Sequence, residues 1–116
     1  MATVKIKLAP TSLMHVFYFQ CKTVQLQSVH KALSDKTYTE SKWFEVNGDS
    51  TDAAEEVFDL TNNPNRQDER EEKYGWGRSL SVGDIVIVNR VFGEEQWLCL
   101  SHGWVELGSG LQFEIE

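Results

Sequence analysis

The sequence predicts an α+β fold: a bent antiparallel sheet or a partly open small β-barrel, with one or two packed helices. Three observations carry this. The run Ile85-Val86-Ile87-Val88 is apolar on both faces and follows the turn signal Gly83-Asp84, so this strand needs cover on both sides. From there to residue 115, short apolar runs alternate with glycine turns, the pattern of a β-meander. One segment, residues 50–61, reads as an amphipathic helix able to cover a sheet. Of the two sheet forms, the small barrel is preferred. The 116 residues are read as a single domain, 1–116, large enough for one core without disulfide staples.

Residues 3–8 alternate strictly, with Val4, Ile6 and Leu8 opposite Thr3, Lys5 and Lys7. That is a half-exposed strand, and its lysines suit a sheet edge. Pro10 ends it. Residues 15–21 are β-branched and aromatic and read as a second strand, with Phe17, Phe19 and Cys21 on one face. Residues 23–34 fit two periods. Val24, Leu26 and Ser28 suit a strand, whereas Leu26, Val29, His30 and Leu33 suit a helical stripe. The polar second half and the Ala32-Leu33 ending favour helix. Residues 43–46 form a short strand closed by Asn47-Gly48.

In the helix over 50–61, Ser50 or Asp52 can accept bonds from the free first-turn amides. Ala54, Val57, Phe58 and Thr61 make its apolar stripe, so Val57 and Phe58 are expected against the sheet. Asp52, Glu55, Glu56 and Asp59 point toward water. A second helix follows: Asn63 is the N-cap, Pro64 the first helical residue, and Gly75 lies past the end. Residues 66–73 contain no apolar side chain, so burial cannot hold them. Residues 62–78 are therefore expected to be a solvated helix, a mobile arm or a surface ordered by a partner, and residues 75–79 a hinge. Beyond the strand over 85–91, Gly93-Glu94-Glu95 reads as a turn. Residues 96–100, 104–107 and 111–115 read as the remaining strands, with a break at His102-Gly103.

Net charge is −7, and residues 49–72 carry nine acids against Arg66 and Arg70. Such a chain repels phosphate backbones, which disfavours general nucleic-acid binding. No apolar run reaches the roughly 20 residues of a membrane span, and Lys5 and Lys7 alternate with apolar residues, unlike a leader. No membrane partner is expected. Two cysteines make no disulfide framework, so a reducing cytoplasm is the simplest location.

Candidate chemistry is sparse. Cys99 and His102, three apart, fall on opposite faces of a continued strand, and the flanking Leu98 and Leu100 mark Cys99 as a buried, inert thiol. Cys21 beside Phe19 reads the same way. The three histidines and two cysteines show neither C-x-x-C nor H-x-x-x-H spacing, so no metal is expected. The acids of 49–59 do not match a calcium loop. Glycines 75, 77 and 83 lack the Lys-Ser of a phosphate cradle and lead into a strand rather than a helix. Adjacent Glu55 and Glu56 diverge on a helix, which gives no support to paired-carboxylate hydrolysis. No cofactor and no catalytic residue is assigned. The candidate binding surface is Arg66, Arg70, Lys73, Trp76, Arg78 and Trp104, because tryptophan and arginine favour binding hot spots.

The run Arg78-Ser79-Leu80-Ser81-Val82-Gly83-Asp84-Ile85-Val86, followed by Gly103-Trp104, resembles a pattern in small proteins of phages, plasmids and integrated elements. The YodL-like family carries a similar run after a helix. The resemblance spans about residues 52–104, with Gly83 where those sequences often have serine. It implies an accessory protein of a mobile element and carries over no catalytic residue. Physically, Gly83-Asp84 is a tight turn, glycine supplying the unusual φ and aspartate bonding nearby amides; Ser79 and Ser81 can satisfy neighbouring backbone groups. The expected function is a non-enzymatic accessory protein acting through protein contacts. Two alternatives remain: a nucleic-acid-binding barrel using Arg66, Arg70, Lys73, Trp76 and Arg78, and a small hydrolase or nuclease with His102 as base.

Overall fold

The computed structural model describes residues 2–10, 13, 16, 22–48, 50–75, 77–90, 93–100 and 103–107. The strands are β1 (Ala2–Leu8), β2 (Thr39–Glu40), β3 (Phe44–Val46), β4 (Ile85–Arg90), β5 (Gly93–Leu100) and β6 (Gly103–Glu106). The helices are α1 (Lys22–Ser34), α2 (Ser50–Asn62) and α3 (Gln67–Lys73), the last preceded by a single 3₁₀ turn, Pro64–Arg66. All pairing is antiparallel, in the order β2-β1-β4-β5-β6, with β3 also on β1.

The sheet is open rather than closed into a barrel, and the two faces of β4 explain why. Val86 and Val88 join Val4, Ile6, Phe44 and Val46 in one apolar layer, covered by Ala53, Ala54, Val57 and Leu60 of α2. Ile85, Ile87 and Leu98 face the other way and are covered by Leu26, Val29 and Ala32 of α1. A sheet with a helix on each face buries both surfaces without closing on itself. All four β4 side chains from Ile85 to Val88 are buried, as their doubly apolar pattern requires.

β1 is interior, not the edge strand its lysines suggested: β4 pairs on one side, β2 and β3 on the other. Lys5 is tolerated there because its ammonium lies 2.6 Å from Glu40 Oε1 and 4.9 Å from the centre of the Trp43 ring. Between β2 and β3 the chain bulges. The Ser41 amide donates to Ile6 O (2.8 Å), and the Ile6 amide donates to Ser41 Oγ (2.9 Å), so a hydroxyl replaces a missing ladder carbonyl.

Residues 22–34 are helical, as favoured. The helix stops at Lys36, in the left-handed region (φ 57°), where Thr37 N donates to Ala32 O and Lys36 N to Leu33 O. That is a Schellman ending with lysine where glycine is usual. The cap expected at Asn63 is present: its side chain accepts from the Asn65 amide, with Pro64 first in the turn. β5 starts at Gly93, so Glu94 and Glu95 sit in the ladder opposite Asn89 and Val88 rather than in a turn. Pairing to a fully buried neighbour outweighs their low strand preference. Of the strand expected at 15–21 only Val16 is described, and it is helical rather than extended, packed against the α1 side of the core; the strand expected at 111–115 lies outside the described residues.

Phe58 departs from expectation. The buried arc of α2 is Ala53, Ala54, Val57, Leu60 and Thr61, while Phe58 is 40% exposed. At 3.6 residues per turn, Phe58 falls about 40° past Ala54, at the margin of that arc. Leu60, at the opposite margin of the arc, is buried where the sequence stripe expected Phe58 to be.

Candidate functional site

The candidate cations come from three places: the 3₁₀ turn (Arg66), α3 (Arg70, Lys73) and the loop after it (Arg78). Three of them are paired with carboxylates, and Arg70 is held by a backbone carbonyl and a ring. The Arg66 guanidinium donates to Glu56 (2.7 and 2.9 Å), to Asp59 (2.8 Å) and through Nε and Nη2 to Glu69 (2.9 Å each). Its bonds to Glu56, then to Glu69 and Asp59, raise its proton affinity further, and they hold Glu69 below the usual carboxylate range. Lys73 lies 3.6 Å from the same Glu69. Arg70 donates to Gly77 O and stands 5.6 Å over the Tyr74 ring.

These contacts correct the picture of residues 62–78 as an arm with a hinge. α3 buries none of its own side chains, as its composition implied. Its ends are nevertheless fixed. Arg66 ties the start to α2, and Tyr74 at the finish is buried against Phe44 at 6.2 Å between ring centres. Tyr74 Oη donates to Arg78 O (2.8 Å), and a Cβ at Gly77 would lie 2.5 Å from that hydroxyl. Glycine is needed there by close approach.

Arg78 belongs to a buried clasp. Asp84 has no exposed surface, and its carboxylate accepts four bonds. Arg78 Nη1 and Nη2 reach Oδ2 and Oδ1 at 2.6 and 2.7 Å; the Ser81 amide reaches Oδ2 at 2.8 Å and the Ala9 amide Oδ1 at 2.7 Å. Arg78 also donates to Ala9 O (3.0 Å) and Ser79 O (3.1 Å). The turn itself uses Gly83 at φ 97°, whose carbonyl accepts the Tyr38 hydroxyl at 2.7 Å. Ser79 Oγ donates to Thr61 O (2.7 Å), the Leu80 amide to Thr61 Oγ1 (3.0 Å) and Asn62 Nδ2 to Leu80 O (3.0 Å). The Ser-Leu-Ser-Val-Gly-Asp run thus staples the end of α2 and the residue after β1 to the start of β4.

Cys99 is a free, buried thiol beside this clasp. Its backbone pairs with the turn: the Gly83 amide donates to Cys99 O and the Cys99 amide to Asp84 O, both at 2.9 Å. Burial, with a smaller push from the Asp84 charge, lifts the thiol from 9.0 to about 12. It stays protonated at neutral pH, as its leucine neighbours suggested.

The remaining candidate, Trp104, lies across the ladder from Cys99 and half-buried on the α2 face of the sheet. It lines an open groove of about 280 Å³ with Glu55 and Phe58 of α2 and with Cys99, Leu100 and Gly103 of the β5–β6 hairpin. The structure therefore separates Trp104 from the cations it was grouped with and sets it beside Phe58. The sequence signal for Phe58 was present. An arc centred on Ala53, Val57 and Leu60 accounts for more apolar residues than one centred on Phe58, leaving a large aromatic at the rim. Trp76, His102, His15 and Cys21 lie outside the described residues. Among the described residues no three His, Cys, Asp or Glu side chains converge as metal ligands, and no helix is long and apolar enough to cross a membrane.

Comparison of the chain with known protein families, with curated proteins and with solved structures returns no match.

Proposed function

We propose that the protein is a non-enzymatic accessory protein that acts by binding another protein through the groove between α2 and the β5–β6 hairpin. The observation that carries this is Phe58: a large aromatic, 40% exposed on a helix whose Val57 and Leu60 are fully buried, beside half-buried Trp104. Rigid aromatics at the mouth of a concavity are the usual anchors of protein recognition. Two further features support the reading. The Cys99 thiol in the groove holds its proton, and the Asp84 carboxylate already accepts four donors, so neither is poised as nucleophile or base. The engagement of Arg66, Arg70, Lys73 and Arg78 by carboxylates and carbonyls favours a protein partner over a phosphate backbone. Origin in a phage, plasmid or integrated element follows from the resemblance of the 78–86 run, and a cytoplasmic site of action from the sparse cysteines; both are part of this proposal.

The test is photo-crosslinking in cells of the source organism, with a benzophenone side chain at position 58 and, as a control, at Glu72 on α3. A discrete adduct from position 58, absent from position 72 and lost with Trp104→Ala, is expected. Equal labelling from both positions, or none from position 58, rules the groove out as the contact surface.

A further inference from the structure

We propose that the groove is a receptor for an arginine side chain presented by the partner, with the guanidinium stacked on Phe58 and Trp104 and forked onto Glu55. This rests on the protein-binding reading above and names the chemistry of the occupant.

Charge complementarity selects a cation. Of the six described lining residues, Glu55 alone is charged, and two others, Phe58 and Trp104, carry aromatic rings of the kind that attract cations. Among the described residues Glu55 forms no ion pair. Its neighbours on α2, Glu56 and Asp59, are bound by Arg66, whose guanidinium is thereby committed. The groove floor includes Cys99, which carries no compensating charge at neutral pH.

The molecule shows the same recipe completed at another place. Lys5 sits between a carboxylate, Glu40 at 2.6 Å, and an aromatic face, Trp43 at 4.9 Å. Arg70 likewise lies over the Tyr74 ring. At Glu55, Phe58 and Trp104 the carboxylate and the rings come without a cation among the described residues. A volume of about 280 Å³ lies at the lower end of small-ligand sites, which suits one long side chain rather than a folded element. Arginine is preferred over lysine because its planar, weakly hydrated guanidinium stacks on rings and matches a carboxylate with two parallel bonds.

The probes are two capped tripeptides, acetyl-Gly-Arg-Gly-amide and the same peptide with citrulline, the uncharged isostere of arginine. Each is titrated into ¹⁵N-labelled protein while the Trp104 indole N–H and the amides of residues 55–58 are followed. The arginine peptide is expected to shift these signals saturably, with the citrulline peptide binding at least fivefold more weakly. Glu55→Gln, an exposed helix position that does not threaten folding, should weaken the arginine peptide about as much and leave the citrulline peptide unchanged. Equal affinity for the two peptides overturns the assignment of a cation while leaving the groove a protein-binding site. No shift at Trp104 with either peptide overturns it as well. If the crosslink from position 58 is also missing, the protein-binding reading falls with it.

Discussion

Replacing Asp84 with alanine should be among the most damaging single changes outside the apolar core. Four hydrogen bonds vanish at a site with no solvent access. The Ala9 and Ser81 amides lose their acceptor, and an orphaned buried donor costs about 1–3 kcal/mol. Arg78 loses its counter-charge, but about a third of its side chain is exposed (36%) and it keeps the Ala9 and Ser79 carbonyls, so much of that loss is made up by water. Recovering the desolvation of Asp84 offsets part of the total. The net is about 3–4 kcal/mol, at the lower end of what breaking a buried pair from one side costs. Urea unfolding followed by circular dichroism reads this as a lower midpoint at unchanged slope. The double variant with Arg78→Met should cost well under the sum of the two singles, with a coupling of about 2 kcal/mol. A loss below 1 kcal/mol for Asp84→Ala, or strict additivity in the cycle, refutes the clasp as an energetic unit.

Other outcomes are expected as well. Ile87→Ala should cost about 2–5 kcal/mol because Ile87 is buried under α1, whereas Phe58→Ala, at a half-open position, should cost about 1 kcal/mol or less in the same urea assay. Cys99 should react slowly with iodoacetamide in the native protein at pH 8 and quickly once unfolded. Its raised proton affinity gives stability that is complete below pH 9 and is lost as pH climbs toward 12, with the buried Tyr38 and Tyr74 hydroxyls acting in the same direction above 10. At the acid end, Glu40 and Glu69 are held low by hydrogen bonds to Lys5 and Arg66, so their contribution is present above about 4.5 and declines as pH falls through their native values. Lys36→Gly should raise stability by about 0.5 kcal/mol: it relieves a left-handed lysine, less the freedom glycine adds to the unfolded chain, and a melting curve unchanged or lowered contradicts this. Arg66→Met should speed amide exchange across 67–73 more than across β4, since α3 is held by its ends and not by burial.

Much of the architecture was legible because β4 announces itself. Four consecutive apolar residues that cannot all face one way imply two covering layers, and α1 and α2 provide them. The cap at Asn63-Pro64 and the turn at Gly83-Asp84 were legible for a similar reason, each being local chemistry that acts within a few residues. What escaped was set by partners distant in sequence. The lysines of β1 mimic an edge because Glu40 and Trp43, which accommodate Lys5, lie more than thirty positions on. Residues 62–78 looked unanchored because Tyr74 and Arg66 find their partners on β3 and α2. The pairing of Phe58 with Trp104 across the groove joins a helix to a hairpin, which periodicity within either element cannot report.

The place of β1 also governs the order in which the protein can be made. Its seven residues precede every strand they pair with, yet they lie inside the sheet between β3 and β4, and the Ala9–Asp84 bond spans 75 positions. Until residues 85–90 have been synthesised, β1 has only the short partners β2 and β3 on one flank, and Val4 and Ile6 lack Val88 and Val86 beside them. Assembly therefore waits on closure of a very long loop, an entropic delay of the kind that slows folding in proteins with distant pairings. During translation the nascent chain carries an apolar strand with an unsatisfied flank, and the strongly acidic stretch 49–72, made before β4, adds a like-charge repulsion that opposes association of such chains.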